Sequence, residues 1–193
     1  MTVNTTRTTL AAAASLFGLG LAGCSSPTPG QPEPTTGGET TSAVNDPFRI
    51  DQPKNLKAIS DPCQLLNPQQ LQEVGATTTG RQDKSQWGQA NCAWDGAKLA
   101  LQVSPDTVQG QGLRYTTKIV ADGKPTAEVA GYPATHVGAT SGSCGTYVST
   151  SDTELFLVDF QMGTEDFKAS GFSDPCAAAD KIAEMVIKNL PPA

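Results

Sequence analysis

Residues Cys92–Val103 read CAWDGAKLALQV, and this stretch predicts a β-hairpin. Apolar residues alternate along the chain on both sides of Asp95-Gly96, a pair that is typical of a tight turn between antiparallel strands. Because the side chains of a strand alternate between its two faces, half of the hairpin should point into a hydrophobic core. The residues expected to face inward are Trp94, Leu99, Leu101 and Val103.

Helix-start signals flank the hairpin on both sides. Asp61-Pro62 and Asn67-Pro68 each place a capping side chain before a proline at the first helical position, which predicts a short helical segment over Pro62–Val74. Asp174-Pro175 repeats the signal, and apolar residues at helical spacing after it predict a C-terminal helix. Gly110–Val120 fits a strand or a helix, and we predict a helix.

Alternating apolar residues predict more strands in the second half of the chain, the last two joined by a polar turn at Thr150–Thr153. The predicted strands are Ala127–Ala130, Ala134–Gly138, Cys144–Ser149 and Glu154–Met162. This order of elements predicts an α+β fold, in which helices pack on one face of an antiparallel sheet of about five or six strands.

Composition limits the classes of partner. The chain has 193 residues, of which 37% are hydrophobic, and this is enough for one modest core. The 13 Lys and Arg against 19 Asp and Glu give a net charge of −6. An acidic protein of this kind has no basic face for a polyanion, so we expect no nucleic-acid partner.

The first residues have the pattern of an export signal. One cation, Arg7, precedes the apolar run Leu10–Gly20, which is too short to span a bilayer. The run leads into Leu21-Ala22-Gly23-Cys24, which resembles a bacterial lipoprotein signal. We therefore predict a signal peptide over residues 1–23 and a diacylglyceryl anchor on Cys24, on the extracytoplasmic face of the cell membrane. The other interpretation is a plain secretory signal with an incidental cysteine.

A spacer follows the predicted anchor. Ser25–Asn45 consists mainly of Pro, Thr, Gly and Ser and holds no Leu, Ile or Phe, so it lacks the apolar surface needed to pack. We predict a flexible tether over residues 24–57 and a single domain over residues 58–193. Asp46–Lys57 contains Phe48, Ile50 and Leu56, and we expect the end of this segment to lie on the domain as an extended arm.

The four cysteines after Cys24 are expected to form two disulfides, since an exported protein folds in an oxidising setting. Of the three pairings, we prefer Cys63–Cys92 and Cys144–Cys176, because each joins an Asp-Pro-Cys helix start to the beginning of a neighbouring strand. The alternative is a zinc site or a reactive thiol. Zinc ligands usually come in close pairs, which these cysteines do not form, so we predict no metal site.

Several short motifs together resemble a family of actinobacterial cell-envelope lipoproteins that is classed only as a domain of unknown function. The resemblance covers nearly the whole chain after Cys24 and implies a lipid-anchored envelope protein with an α+β domain. It implies no activity, catalytic residue or cofactor. The motifs, after the lipoprotein signal and the tether, are Asp-Pro-Cys-Gln-Leu-Leu at 61–66, Cys-Ala-Trp at 92–94, Gly-Tyr-Pro-Ala at 131–134, the isolated Cys144 and Asp-Pro-Cys at 174–176.

Catalytic signatures are sparse. His136 is the single histidine, and the Gly-x-Ser-x-Gly pattern of many hydrolases does not occur. There is also no dinucleotide fingerprint, and we predict no cofactor and no catalytic residue. Acidic residues between positions 152 and 166 lack the spacing of a calcium loop, and we interpret them as solvated turns. They are Asp152, Glu154, Asp159, Glu165 and Asp166.

We therefore expect a non-enzymatic module that binds a small envelope molecule or a protein partner. The candidate ligand-binding residues are Trp87, Tyr115, Tyr132 and His136. Trp87 lies in a polar, glycine-flanked loop and could stack on a ligand, or it could fold back on the hairpin. One alternative is an envelope hydrolase or transferase that uses His136, and a further one is a purely structural component of an envelope assembly.

Overall fold

The computed structural model describes residues 46–85, 87–163, 166, 171–172 and 174–193. The predicted signal peptide, Cys24 and the tether up to residue 45 lie outside the described residues, as does Glu165. Within the described part, no helix has the length and hydropathy of a membrane-spanning segment.

An antiparallel sheet forms the centre of the domain. Its strands in the described residues are β1 Arg81–Lys84, β2 Ala90–Asp95, β3 Leu99–Asp106, β4 Ala127–Val129, β5 Tyr132–Val137, β6 Ser143–Ser149 and β7 Leu155–Met162. The spatial order is β1-β2-β3-β7-β6-β5-β4. Two meanders, β1 to β3 and β4 to β7, are thus joined through the pairing of β3 with β7.

Three α-helices and two short 3₁₀ helices accompany the sheet in the described residues. The α-helices are α1 Pro68–Glu73, α2 Gly112–Val120 and α3 Pro175–Asn189, and the 3₁₀ helices are Leu56–Ala58 and Pro62–Gln64. The predicted caps are present: the Asp61 side chain accepts from the Cys63 amide, and Asp174 accepts from the Ala177 amide.

The main core lies between α3 and one face of the sheet, which we name the α3 face. Strand register places Val103, Val158 and Thr146 beside one another on this face, with Trp94 and Phe160 along the neighbouring row. All five are at most 2% exposed. The helix contributes small and branched side chains that allow close approach, namely Ala179, Ile182, Ala183 and Val186.

Both predicted disulfides are present, and both lie on the α3 face. Cys63–Cys92 joins the 3₁₀ helix at 62–64 to β2, and Cys144–Cys176 joins β6 to the first turn of α3. Each bridge thus connects an Asp-Pro-Cys helix start to a strand, which is the arrangement that favoured this pairing.

The opposite face of the sheet, which we name the α2 face, carries a second apolar cluster. Leu113 of α2 packs there against Tyr147, Leu155 and Leu157. The prediction that helices pack on one face only is therefore wrong, because α2 and α3 lie on opposite faces. The sheet also has seven strands instead of five or six, since β1 was not predicted.

The helical segment predicted over Pro62–Val74 is divided into two short helices. Asn67 has φ −88° and ψ 163°, an extended conformation that Pro68 imposes on the residue before it. The Asn67 side chain then caps α1 together with Gln70 in a reciprocal capping box. The predictions of a hairpin, of a helix within Gly110–Val120 and of the C-terminal helix are confirmed.

Residues 46–57, assigned to the end of the tether, lie on the domain. Leu56 is 1% exposed, and the Lys54 amide donates to the Thr150 carbonyl at 2.9 Å. Asp46 accepts from the Arg114 guanidinium of α2 at 2.7 Å, and that guanidinium also lies over the Phe48 ring. Among the described residues, the folded domain therefore begins at residue 46 instead of residue 58, and the expected extended arm is present.

Candidate functional site

Two cavities open on the α2 face, one beside α2 and one on the part of the sheet that α2 does not cover. The larger cavity, which we name the groove, has a volume of about 480 Å³. The smaller, which we name the α2 cavity, has a volume of about 190 Å³ and lies beside α2. Ligand sites for small molecules usually fall between about 300 and 1,000 Å³, so the groove is large enough to hold one.

The floor of the groove is one row of side chains that crosses six strands. Directly opposed residues share a face of a sheet, so the register of the strands identifies this row. From β1 to β5 the row is Arg81, Ala93, Gln102, Asp159, Gly145 and Val137. Ala93 separates Arg81 from Gln102, and Gly145 lies on the other side of Asp159, so small residues leave the polar groups accessible from the groove.

Asp159 of β7 is central to this row. Its carboxylate receives no hydrogen bond or ion pair from any described residue, although the groove is otherwise rich in donors. The side chain is exposed to the groove, but the surrounding sheet removes part of its hydration, and this desolvation raises its pKa above the ordinary value. The prediction that Asp159 lies in a solvated turn is therefore wrong.

Gly145 of β6 makes space for the Asp159 carboxylate. A Cβ atom at this position would lie 2.8 Å from Val137 Cγ1 and 3.0 Å from Asp159 Oδ1. Both distances are shorter than ordinary carbon contacts, so any larger residue would displace its neighbours. The glycine keeps the centre of the groove open.

The other residues of the predicted acidic group have different surroundings. Asp152 is exposed in the turn between β6 and β7, as expected. Glu154 is largely buried and pairs with Lys57 at 2.8 Å, and Asp166 pairs with Lys98 at 2.7 Å.

The α2 cavity brings together two of the candidate ligand-binding residues, Trp87 and Tyr115. Trp87 lies in the loop between β1 and β2, whereas Tyr115 lies on α2. The Trp87 indole nitrogen donates to the Pro105 carbonyl at 3.4 Å, and its ring packs against the apolar cluster on the α2 face. Trp87 therefore folds back on the hairpin, and part of its ring lines the cavity, whereas stacking of this ring on a ligand stays a prediction.

Two further residues of the α2 cavity were not predicted. Asp106, at the end of β3, is 9% exposed, and its Oδ1 accepts from the Val108 and Gln109 amides. Tyr147 of β6 is also 9% exposed. Burial is the main cause of its raised pKa, and the carboxylates of Asp159 and Asp106 raise that pKa further. Tyr147 thus lies within electrostatic reach of both cavities.

Tyr132 and His136 are separate from the α2 cavity. Tyr132 is 6% exposed on the α3 face, and its hydroxyl donates to the Gln52 carbonyl at 2.6 Å, so its role is to hold the arm. His136 Nε2 lies 2.9 and 3.0 Å from the two carboxylate oxygens of Asp180 on α3.

The surroundings of His136 differ from those of a catalytic triad. In a triad the histidine lies between the nucleophile and the carboxylate. Here Asp180 is central, because the buried Thr146 hydroxyl also donates to Asp180 Oδ1, at 2.9 Å. The contact ties β5 and β6 to α3. In the described part of the chain, no group of three or more His, Cys, Asp or Glu side chains is placed to hold a metal ion.

Fold and cavities together define a disulfide-bonded α+β domain that has a polar groove on the part of an antiparallel sheet that α2 does not cover. The model of the family described as "Protein of unknown function (DUF3558)" matches residues 19–189. Because the match covers most of the sequence, the chain belongs to this family, and the expected resemblance to a family of unknown function is confirmed at that level. Searches of curated proteins and of solved structures found no match.

Proposed function

We propose that this protein is a lipoprotein anchored through Cys24 on the extracytoplasmic face of the cell membrane, and that its domain is a non-enzymatic module that binds a small polar molecule of the envelope. The lipoprotein signal before Cys24 and the Pro- and Thr-rich segment after it support the anchor. Two acyl chains hold a protein in a membrane much more firmly than one does, because each buried CH₂ contributes about 0.8 kcal/mol.

One observation carries the binding proposal: the Asp159 carboxylate on the floor of the groove has no hydrogen-bond or ion-pair partner among the described residues. A polar group that loses hydration without gaining a partner costs free energy, and a ligand that donates a hydrogen bond recovers it. Gln102 and Gln161 flank Asp159 on the same face and add both donors and acceptors. This set suits a ligand that is rich in hydroxyl or amide groups.

The strands under these side chains are paired with neighbouring strands on both sides, which favours binding. Asp159 and Gln102 lie opposite each other on β7 and β3, two adjacent strands that are each paired on both sides, so their backbone positions are fixed before a ligand arrives. Preorganisation reduces the entropy that a site loses on binding.

Native mass spectrometry of the detergent-extracted, lipidated protein tests the binding proposal. We expect a retained small-molecule mass on the wild-type protein and its loss from Asp159→Asn, which removes the charge with little change of shape. Asp152→Asn is the matched control, because it removes an exposed carboxylate outside the groove and should retain the mass. Absence of any bound mass on the wild type, or equal retention by Asp159→Asn, would contradict the proposal.

The anchor has its own test. Cells that grow with an alkyne-labelled fatty acid should label the wild-type protein and leave Cys24→Ala unlabelled. Cys24→Ala should also move from the membrane fraction to the soluble exported fraction. An unlabelled wild-type protein would contradict the anchor without bearing on the groove.

A further inference from the structure

The α2 cavity has the composition of a site for an organic cation. Three aromatic residues, Trp87, Tyr115 and Tyr147, line it together with the carboxylate of Asp106. Asp106 is the sole charged residue in the cavity lining, and no Lys or Arg of the described residues lines it. Aromatic rings present the negative face of their quadrupole to a cation, and a carboxylate adds to that attraction.

The Asp106 carboxylate is buried, yet the described residues provide a hydrogen bond to one of its two oxygens only. Its Oδ1 accepts from two backbone amides, whereas Oδ2 receives no hydrogen bond from a described residue. The Tyr147 hydroxyl likewise makes no hydrogen bond to a described residue, and two carboxylates act on it. The cavity therefore concentrates negative potential where water is partly excluded, which strengthens attraction for a cation.

The loop that carries Trp87 is held in position before any ligand binds. Gln89 donates to Thr107 Oγ1 at 3.0 Å and accepts from the Thr107 amide at 3.0 Å. The Ser85 amide donates to the Gln89 carbonyl at 2.8 Å, which closes the loop at its base. These bonds connect the loop to the end of β3, next to Asp106.

Apolar exposure is concentrated at the same place. The large apolar residues that are exposed in the described part of the chain are Val108, Tyr115 and Ile119, with exposures of 67%, 46% and 67%. Tyr115 and Ile119 line the α2 cavity, and Val108 follows Asp106 by two positions. Exposed apolar residues that gather around a polar centre commonly mark a binding site.

We propose that the α2 cavity binds a quaternary or tertiary ammonium group, with Trp87, Tyr115 and Tyr147 around the cation and Asp106 as its counter-ion. The volume of about 190 Å³ suits a head group of this kind and is too small for a whole drug-sized ligand. The inference concerns a different cavity from the groove and does not depend on the function proposed for the groove.

Choline and its neutral carbon isostere, 3,3-dimethyl-1-butanol, test the inference, because they share shape and differ in charge. The full-length protein in a maltoside detergent would be titrated with each, and binding followed by NMR at the two tryptophan indole N–H signals. Trp87 should shift, whereas Trp94, which is 1% exposed in the main core, should not. We expect choline to bind at least about tenfold more tightly than the isostere, since cation–π attraction and the counter-ion favour charge.

Substitutions identify the groups responsible. Asp106→Asn keeps the Oδ1 acceptor that the two backbone amides use. It should lower the affinity for choline about tenfold and leave the affinity for the isostere unchanged. Tyr115→Leu should weaken choline binding by a similar factor. Tyr115 is 46% exposed on α2, so this substitution should leave the fold intact. Asp152→Asn, the matched charge control, should bind choline as the wild type does.

Four results would overturn the inference. Three of them are no choline-dependent shift of Trp87, equal affinity for choline and its isostere, and an Asp106→Asn variant that is folded and binds choline normally. A choline shift that Asp152→Asn weakens as much as Asp106→Asn does would also overturn it, because the attraction would then come from general surface charge.

Discussion

Removal of the two disulfides should cost this domain most of its stability, because the bridges close separate loops. Cys63–Cys92 spans 29 residues and Cys144–Cys176 spans 32. In the chain-entropy model these loops correspond to about 3.6 and 3.7 kcal/mol of free energy of unfolding at 25 °C. The loops do not overlap, so the two contributions should add to about 7 kcal/mol, which is comparable to the whole stability of a typical domain.

Urea unfolding at equilibrium measures this directly. Each Cys→Ala pair should lower the free energy of unfolding by about 3 to 4 kcal/mol, and the variant without all four cysteines should be largely unfolded at 37 °C. The denatured state carries the effect, so the folded-state spectra of the two pair variants should resemble the wild type. The reasoning would be refuted by a pair variant whose free energy of unfolding is within about 1 kcal/mol of the wild-type value. It would also be refuted if the variant without both disulfides were no less stable than either pair variant.

Three more perturbations have expected outcomes. Gly131→Ala should lower the free energy of unfolding by about 1 to 2 kcal/mol through backbone strain, since φ is 84° and the new Cβ would meet no described neighbour within 4 Å. Ala130→Asn, at φ 51°, should instead stabilise the same turn, because asparagine tolerates a positive φ. Thermal melts that rank the two variants in the opposite order would contradict this. The raised pKa of Asp159 means that the folded state holds a proton which the unfolded state releases, so stability should fall as pH rises above the ordinary aspartate pKa. Asp159→Asn should flatten this decline in melts from pH 3 to 7, and an unchanged pH profile would contradict it. Leu113→Ala should lower the free energy of unfolding by about 2 to 4 kcal/mol, because Leu113 of α2 is 1% exposed and packs against the sheet. A change near zero in urea unfolding would mean that α2 does not pack as described.

Local signals in the sequence were enough to predict most of the elements. Asp61, Asn67 and Asp174 cap helices as expected, and the hairpin follows from apolar alternation on both sides of the Asp95-Gly96 turn. The strand β1 could not be found in this way, because Arg81–Lys84 is exposed at all four positions and has no apolar alternation. An edge strand of this kind is specified by the neighbour it pairs with.

Long-range placement explains the remaining errors. The pattern of α2 predicts a helix but does not indicate which face of the sheet it covers, and that choice depends on Tyr147, Leu155 and Leu157 far along the chain. Asp159 was misread for the same reason. In its own segment it is a polar residue in a strand, and only the strand register places it opposite Gly145 and Gln102.

The candidate site shows the same limit. Trp87 and Tyr115 were singled out individually, but their common cavity also needs Asp106 and Tyr147, which have no local signal for binding. Tyr132 was expected to edge a ligand site, yet its hydroxyl is used to hold the arm at Gln52. Aromatic residues near glycines are thus detectable in the sequence, whereas the direction of their side chains is a property of the assembled sheet.

The pairing of β3 with β7 has a consequence for the order in which the protein matures. Paired residues of these strands lie 49 to 63 positions apart, whereas the pairs within each meander are close in sequence. A chain that is delivered from its N-terminal end completes β1 to β3 early and leaves one border of β3 without a partner until β7 arrives. Long-range strand pairing of this kind is slow and leaves an unpaired strand open to self-association. We therefore expect the pairing of β7 with β3 to determine how long newly made protein remains prone to aggregation.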